Sequence, residues 1–302
     1  RPLDNQPMLW TAPRRVESWS LVQCPPARRV GRHRLSSVIR PSHLGMSTPP
    51  HSLPEWFVHG ERLLWPTLAL ARSAVGQRKG GDLTLDVIPE CAAIHLIHCI
   101  DTSSQVNRKG RHAVAISLVR QCVEAITLVE LGLRDPAYRD PLLGDWRDEK
   151  KSQGQLRKAL ERDVWPSYGS GLRSESWAEF AAEFAQAVQP YAHYTSLLQG
   201  WQMAVASGDQ LRRSPDGNLL FVAQIGMDTY DGVKATRITL LHCLITWAVG
   251  RILMANGVQG VDASAIQHLG GEMARSELLG AGNLTWHQEF WPHMFDNPNR
   301  GG

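Results

Sequence analysis

Between residues 111 and 133 apolar side chains cover most of a helical circumference: Val114, Ile116, Leu118, Val119, Cys122, Val123, Ile126, Leu128, Val129 and Leu131. The polar positions Ser117, Arg120, Gln121, Glu124 and Thr127 fall on one line. A helix that is apolar on all but a narrow stripe needs neighbours nearly all round, so the pattern predicts a helix at the centre of a bundle. At 1.5 Å per residue it spans about 35 Å.

The same periodicity predicts further helices on either side. Ser52 caps one that carries Pro54 and Glu55 in its first turn and ends at Gly80-Gly81, with a kink or split expected at Pro66. A helix over 87–100 is expected to stop in the polar stretch 101–110. Asp135-Pro136 and Asp140-Pro141 mark helix starts, and charged helical segments follow over 142–149 and 153–164. A loop over 166–171 leads to a helix beginning at 174–183, in which Trp177, Phe180 and Phe184 are spaced three and four apart. After a break near Pro190 comes a further segment over 191–205. Ser214-Pro215-Asp216-Gly217 is a tight turn joining two short strands near 210–213 and 219–222. Helices over 229–256 and 263–279 complete an all-α fold: a helical bundle around a central long helix, with one short β-hairpin near 210–222. The expected domain is 46–302, with a core bundle at 83–205 and C-terminal helices over 228–302.

Composition changes this picture at one end. Residues 1–45 hold eight arginines, no lysine, and only Asp4 and Glu17, a net of +6; the remaining 24 basic and 27 acidic residues leave the rest at −3. This Arg- and Pro-rich stretch has no helical period and is expected to be a disordered tail or an over-extended reading frame ahead of Met46. The globular part, being net acidic, needs a local basic patch to hold nucleic acid. The five cysteines are scattered with no Cys-x-x-Cys pair, which excludes a thiolate zinc site and fits a reducing cytoplasm. The most apolar stretch, 238–250, is closed by Arg237 and Arg251 and falls short of the roughly 18 residues of a spanning helix, so no membrane association is expected. There is no P-loop, dinucleotide fingerprint or nucleophile elbow, and no cofactor is expected.

Arg120 and Glu124 are four residues apart and able to pair. The run Leu118-Val-Arg120-Gln-Cys-Val-Glu124-Ala, preceded by a helix and a polar loop, is followed much later by Tyr191-Ala-His193-Tyr-Thr195. Together they resemble an uncharacterised group of bacterial helical proteins similar to the HEPN-like bundles of toxin–antitoxin, phage-defence and RNA-processing settings. The resemblance covers about 83–205. It implies a binding cleft holding Arg120, Glu124 and His193, with Tyr191 and Thr195 on the same segment, and an RNA or protein partner or a second copy of the chain.

Two other constellations carry chemistry. Arg237-Ile-Thr-Leu-Leu-His242 has the Arg-x(4–6)-His spacing of HEPN ribonucleases, in which the Arg holds phosphate and the His does acid–base work at the 2′-hydroxyl. That makes a metal-independent endoribonuclease the first alternative; Ile238 departs from the polar residue usual after the Arg. His95, His98 and Asp101, with His112 across the loop, form a candidate divalent-metal set. The remaining alternative is a purely structural or regulatory bundle, with the aromatic stretch 286–295 as a strap across it.

Overall fold

In the computed structural model the chain divides into two units, Arg1–Pro50 and His51–Gly302. The structure describes residues 55–205, 212–213, 219–220, 223–225 and 232–276, all in the second unit. The expectations for residues 1–45 and 286–295 lie outside the described residues.

The described residues form an all-α bundle: α1 (Glu55–Gln77), α2 (Leu83–Arg108), α3 (His112–Gly132), α4 (Pro136–Arg147), α5 (Gln153–Asp163), α6 (Trp177–Val188), α7 (Ser196–Gln202), α8 (Gly232–Ala255) and α9 (Ala263–Ala274). Their starts are written in the sequence. Asp82 and Asp135 accept from the backbone N–H of the second residue of α2 and α4, Thr84 and Ala137, and Ser152 and Ser176 form reciprocal capping boxes with Gln155 and Glu179. Two short antiparallel ladders accompany the helices: β1 (Met203–Val205) with β4 (Ala223–Ile225), and β2 (Arg212–Arg213) with β3 (Leu219–Leu220). The second falls where the hairpin is expected.

The central position of α3 follows from its apolar circumference. Fifteen of its 21 residues are buried, and it packs against α1, α2, α4, α5, α6, α7 and α8. The fit with α2 is closest at Gly132, where an added Cβ would lie 2.3 Å from the Pro89 Cβ. A buried ion pair fixes the outer corner: Arg139 on α4 meets Asp86 on α2 at 2.6 Å, and the Gly80 N–H also donates to that carboxylate at 2.7 Å.

Four segments differ from the sequence-based expectation. Pro66 lies inside α1, which continues past it because Leu63, Thr67, Leu68 and Ala71 on either side are buried. The polar stretch 101–108 belongs to α2, leaving a loop of three residues before α3. The segment 191–205 is broken: a 3-10 turn at Gln189–Tyr191, then α7, then β1. Finally, α2 and α8 are both long and apolar enough by length and composition to cross a membrane, contrary to the shorter stretch inferred from flanking arginines. In α8 Arg237 is inside the helix, and 78% of the apolar window of Lys234–Ala255 is buried within the fold, as for a core helix.

Candidate functional site

The polar stripe of α3 is buried at Arg120 and Thr127, partly covered at Ser117 and Glu124, and exposed at Gln121. Arg120 is 8% exposed and pairs with Glu124 through Nη2 at 2.7 Å. Its Nε–H donates to the Gln189 side-chain oxygen at 3.1 Å, so the 3-10 turn after α6 covers the middle of the stripe. The remaining nitrogen, Nη1, is buried and has no hydrogen-bond partner among the described residues. On α5, Arg157 Nη1 and Gln153 Oε1 are in the same condition. The two guanidiniums act on each other: burial first, then the charge of Arg120, holds Arg157 below its ordinary value, with Glu124 and Glu161 opposing. Thus the ion pair anticipated from spacing is one half of a two-arginine cluster between α3 and α5. Arg157 was not legible beforehand because five of the eleven α5 residues are charged and the segment resembles a solvated helix.

Beside this cluster runs a groove of about 470 Å³, with Ile88 and His95 from α2, Gln121 and Glu124 from α3, Trp146 from α4 and Gln153 from α5 in its walls. Its lining mixes apolar residues such as Val87, Ala92 and Leu128 with the polar His95, Gln121, Glu124 and Gln153. The other residues of the expected cleft have local roles. Tyr191 is buried and its hydroxyl accepts from the Trp201 indole at 3.3 Å. Thr195 Oγ1 donates to the Pro190 carbonyl at 2.9 Å and accepts the Leu198 N–H at 3.2 Å, capping α7. His193 is exposed.

His242 on α8 borders a cavity of about 450 Å³ between α1, α2 and α8, together with Glu61, Asn107, Arg108 and Thr239. Ser103 Oγ is 2.9 Å from the Ala115 carbonyl and 2.8 Å from His242 Nε2. Its single proton goes to the carbonyl, which can only accept, so the imidazole donates through Nε2–H. Burial pushes the imidazole down to about 4, and it is neutral at physiological pH. Ser103 is fully buried, which suits a positioning hydroxyl and not a nucleophile. Arg237 is 1% exposed and is not among the described residues lining that cavity.

The metal set inferred from sequence is not brought together among the described residues. His95 Nε2 lies 3.1 Å from Gln121 Oε1, Asp101 accepts from Gln105 at 2.8 Å, His98 is exposed, and His112 is buried against Asn107 at 2.7 Å. Sequence reasoning missed a different cluster, where Glu55, His268 and Glu272 offer ligand atoms within 4.8 Å of one another. It also missed Glu130, a buried carboxyl on α3 that accepts from Trp165 Nε1 at 3.0 Å. No protein-family model, curated protein or solved structure matches this chain.

Proposed function

We propose that this chain is a HEPN-like helical binding protein, of the toxin–antitoxin or phage-defence kind, that takes the terminal phosphate of a single-stranded RNA at Arg120 and Arg157. The observation that supports this is the pair of buried Nη1 atoms with no partner among the described residues. A buried guanidinium normally has its N–H groups satisfied, and leaving one unpaired costs free energy. Two such groups side by side add like-charge repulsion, which Glu124 and Glu161 oppose without supplying a partner to either Nη1. A phosphate monoester carries close to two negative charges and three acceptor oxygens, and the planar guanidinium fork suits it. Neither arginine lines the groove, which meets the cluster through Glu124 and Gln153; its half-buried Trp146 ring would stack an adjoining nucleotide.

The test compares 5′-phosphorylated and 5′-hydroxyl RNA by fluorescence anisotropy. The phosphorylated strand should bind about tenfold tighter or better, the worth of one charge-assisted hydrogen bond. Arg120→Met with Arg157→Met should erase the difference while the far-ultraviolet circular dichroism stays unchanged. Equal binding of both strands by the unmodified protein sinks the proposal. Cleavage of the RNA that is lost in His242→Ala would move the function to Arg237 and His242.

A further inference from the structure

We propose that Glu55, His59, His268 and Glu272 form a binding site for a divalent first-row transition metal, with zinc the best fit, clasping α1 to α9. Glu55 and His59 are four apart on α1; His268 and Glu272 are four apart on α9. That spacing puts each pair on one helical face, one residue above the other. The pairs meet head to head: His59 faces His268, and Glu55 lies with Glu272, so position rises along α1 as it falls along α9. The arrangement is an antiparallel two-helix chelate with two imidazole nitrogens and two carboxylates.

Three features of the geometry carry the inference. The two Nε2 atoms are 3.2 Å apart, with the rings nearly perpendicular at 88°. With Zn–N bonds of about 2.0–2.1 Å, two nitrogens on adjacent corners of a tetrahedron lie about 3.3 Å apart. The nitrogen separation therefore matches a shared metal, and with the centroids 4.5 Å apart the rings need only turn for both lone pairs to meet at it. Next, the ligand atoms of Glu55, His268 and Glu272 all fall within 4.8 Å of one another, so both carboxylates converge on His268, and His59 joins the group through its contact with that ring. Two carboxylates and two acceptor nitrogens at such separations repel unless protons or a cation lie between them. Arg275 pairs with one oxygen of Glu272, leaving the other for the metal.

The ligand chemistry fits zinc better than the hard cations. Imidazole with carboxylate suits zinc, iron or nickel, whereas calcium and magnesium favour all-oxygen sets. Glu55 and His268 are exposed and His59 and Glu272 are half-buried, so the site is open to solution and able to load without opening the fold. Its role is to tie the first described helix to the last, across a sequence separation of 209 residues. It is independent of the arginine cluster on α3.

The experiment uses the full chain stripped with a chelator and dialysed free of it. Zinc titration by calorimetry should give one strong equivalent, and the melting midpoint should rise with zinc. Cobalt at one equivalent should give the visible absorption of a low-coordinate nitrogen-ligated ion. His59→Ala with His268→Ala should weaken zinc by more than about 100-fold, more than loss of a supporting outer contact does, and remove both the shift and the absorption. His268→Gln, which keeps a hydrogen-bonding side chain, should do the same to the absorption if the double variant proves unstable. Zinc binding with unchanged affinity in either variant overturns the proposal, as does the absence of a strong equivalent in the unmodified chain.

Discussion

Glu130 is a carboxyl buried within the core of the bundle. It is 2% exposed, and burial pushes its carboxyl up to about 7 against the hydrogen bonds of Tyr168 and Trp165 and the charge of Arg134. The unfolded chain loses this proton near 4.5, while the folded chain keeps it to about 7. Over that window the native state binds more protons than the unfolded state, so stability falls as pH rises. The loss is complete above about pH 7 and amounts to about 3 kcal/mol. Glu130→Gln mimics the protonated carboxyl and keeps an acceptor for Trp165. Urea unfolding from pH 4.5 to 7.5 should therefore show the variant gaining about 3 kcal/mol on the unmodified protein as pH rises. Parallel curves would mean that Glu130 titrates as an ordinary carboxylate.

At the scale of elements, the α2–α3 contact depends on Gly132 having no side chain. An added Cβ would sit 2.3 Å from Pro89 Cβ and 2.8 Å from Pro89 Cγ, and a proline ring cannot swing aside. Gly132→Ala should destabilise by about 1–3 kcal/mol, the usual cost of overpacking. Gly144→Ala on α4 is the matched comparison: nothing lies within 4 Å of its added Cβ, and the helix gains about 0.5–1 kcal/mol from the lost glycine entropy. Chemical unfolding of both variants separates the two effects; equal changes would remove the steric account. The same helices show where sequence reading succeeds. The span of α3 was legible because its apolar positions repeat and its ends carry no competing signal. The last turns of α2 were not, because Asp101, Ser103, Ser104 and Asn107 have loop-like local preferences. Their helical state is fixed by distant partners: Ser103 donates to Ala115 O, and Asn107 to Ala235 O at 3.1 Å. The site divides in the same way. Arg120 and Glu124 follow from spacing on one helix, whereas Arg157 and the pairing of His59 with His268 depend on how separate helices pack, which no local pattern encodes.

For the whole molecule, the charge distribution separates the proposed binding of a terminal phosphate from general attraction to polyanions. Residues 1–45 carry a net +6 and the remainder −3, so the 302-residue chain should attract any polyanion through its first segment whatever Arg120 and Arg157 do. That attraction releases counterions and weakens steeply with salt, by about 0.7 logarithmic units per phosphate neutralised on a single strand. With eight arginines available besides the buried pair, the 302-residue chain should show a slope of about −6 in a plot of log K against log salt. A chain of residues 46–302 presents one phosphate to the arginine pair, and its slope should be about −1. It contains the whole unit His51–Gly302 and so retains the bundle that positions the pair. Preference for the 5′-phosphate should survive the truncation, because the buried pair lies outside the removed segment and is screened less than exposed charge. Anisotropy titrations of both chains across a salt series decide the matter. If the two slopes coincide, the first segment does not contribute. If the shorter chain loses its preference for the phosphorylated end, recognition belongs to the basic segment and the arginine pair is a structural contact of the bundle.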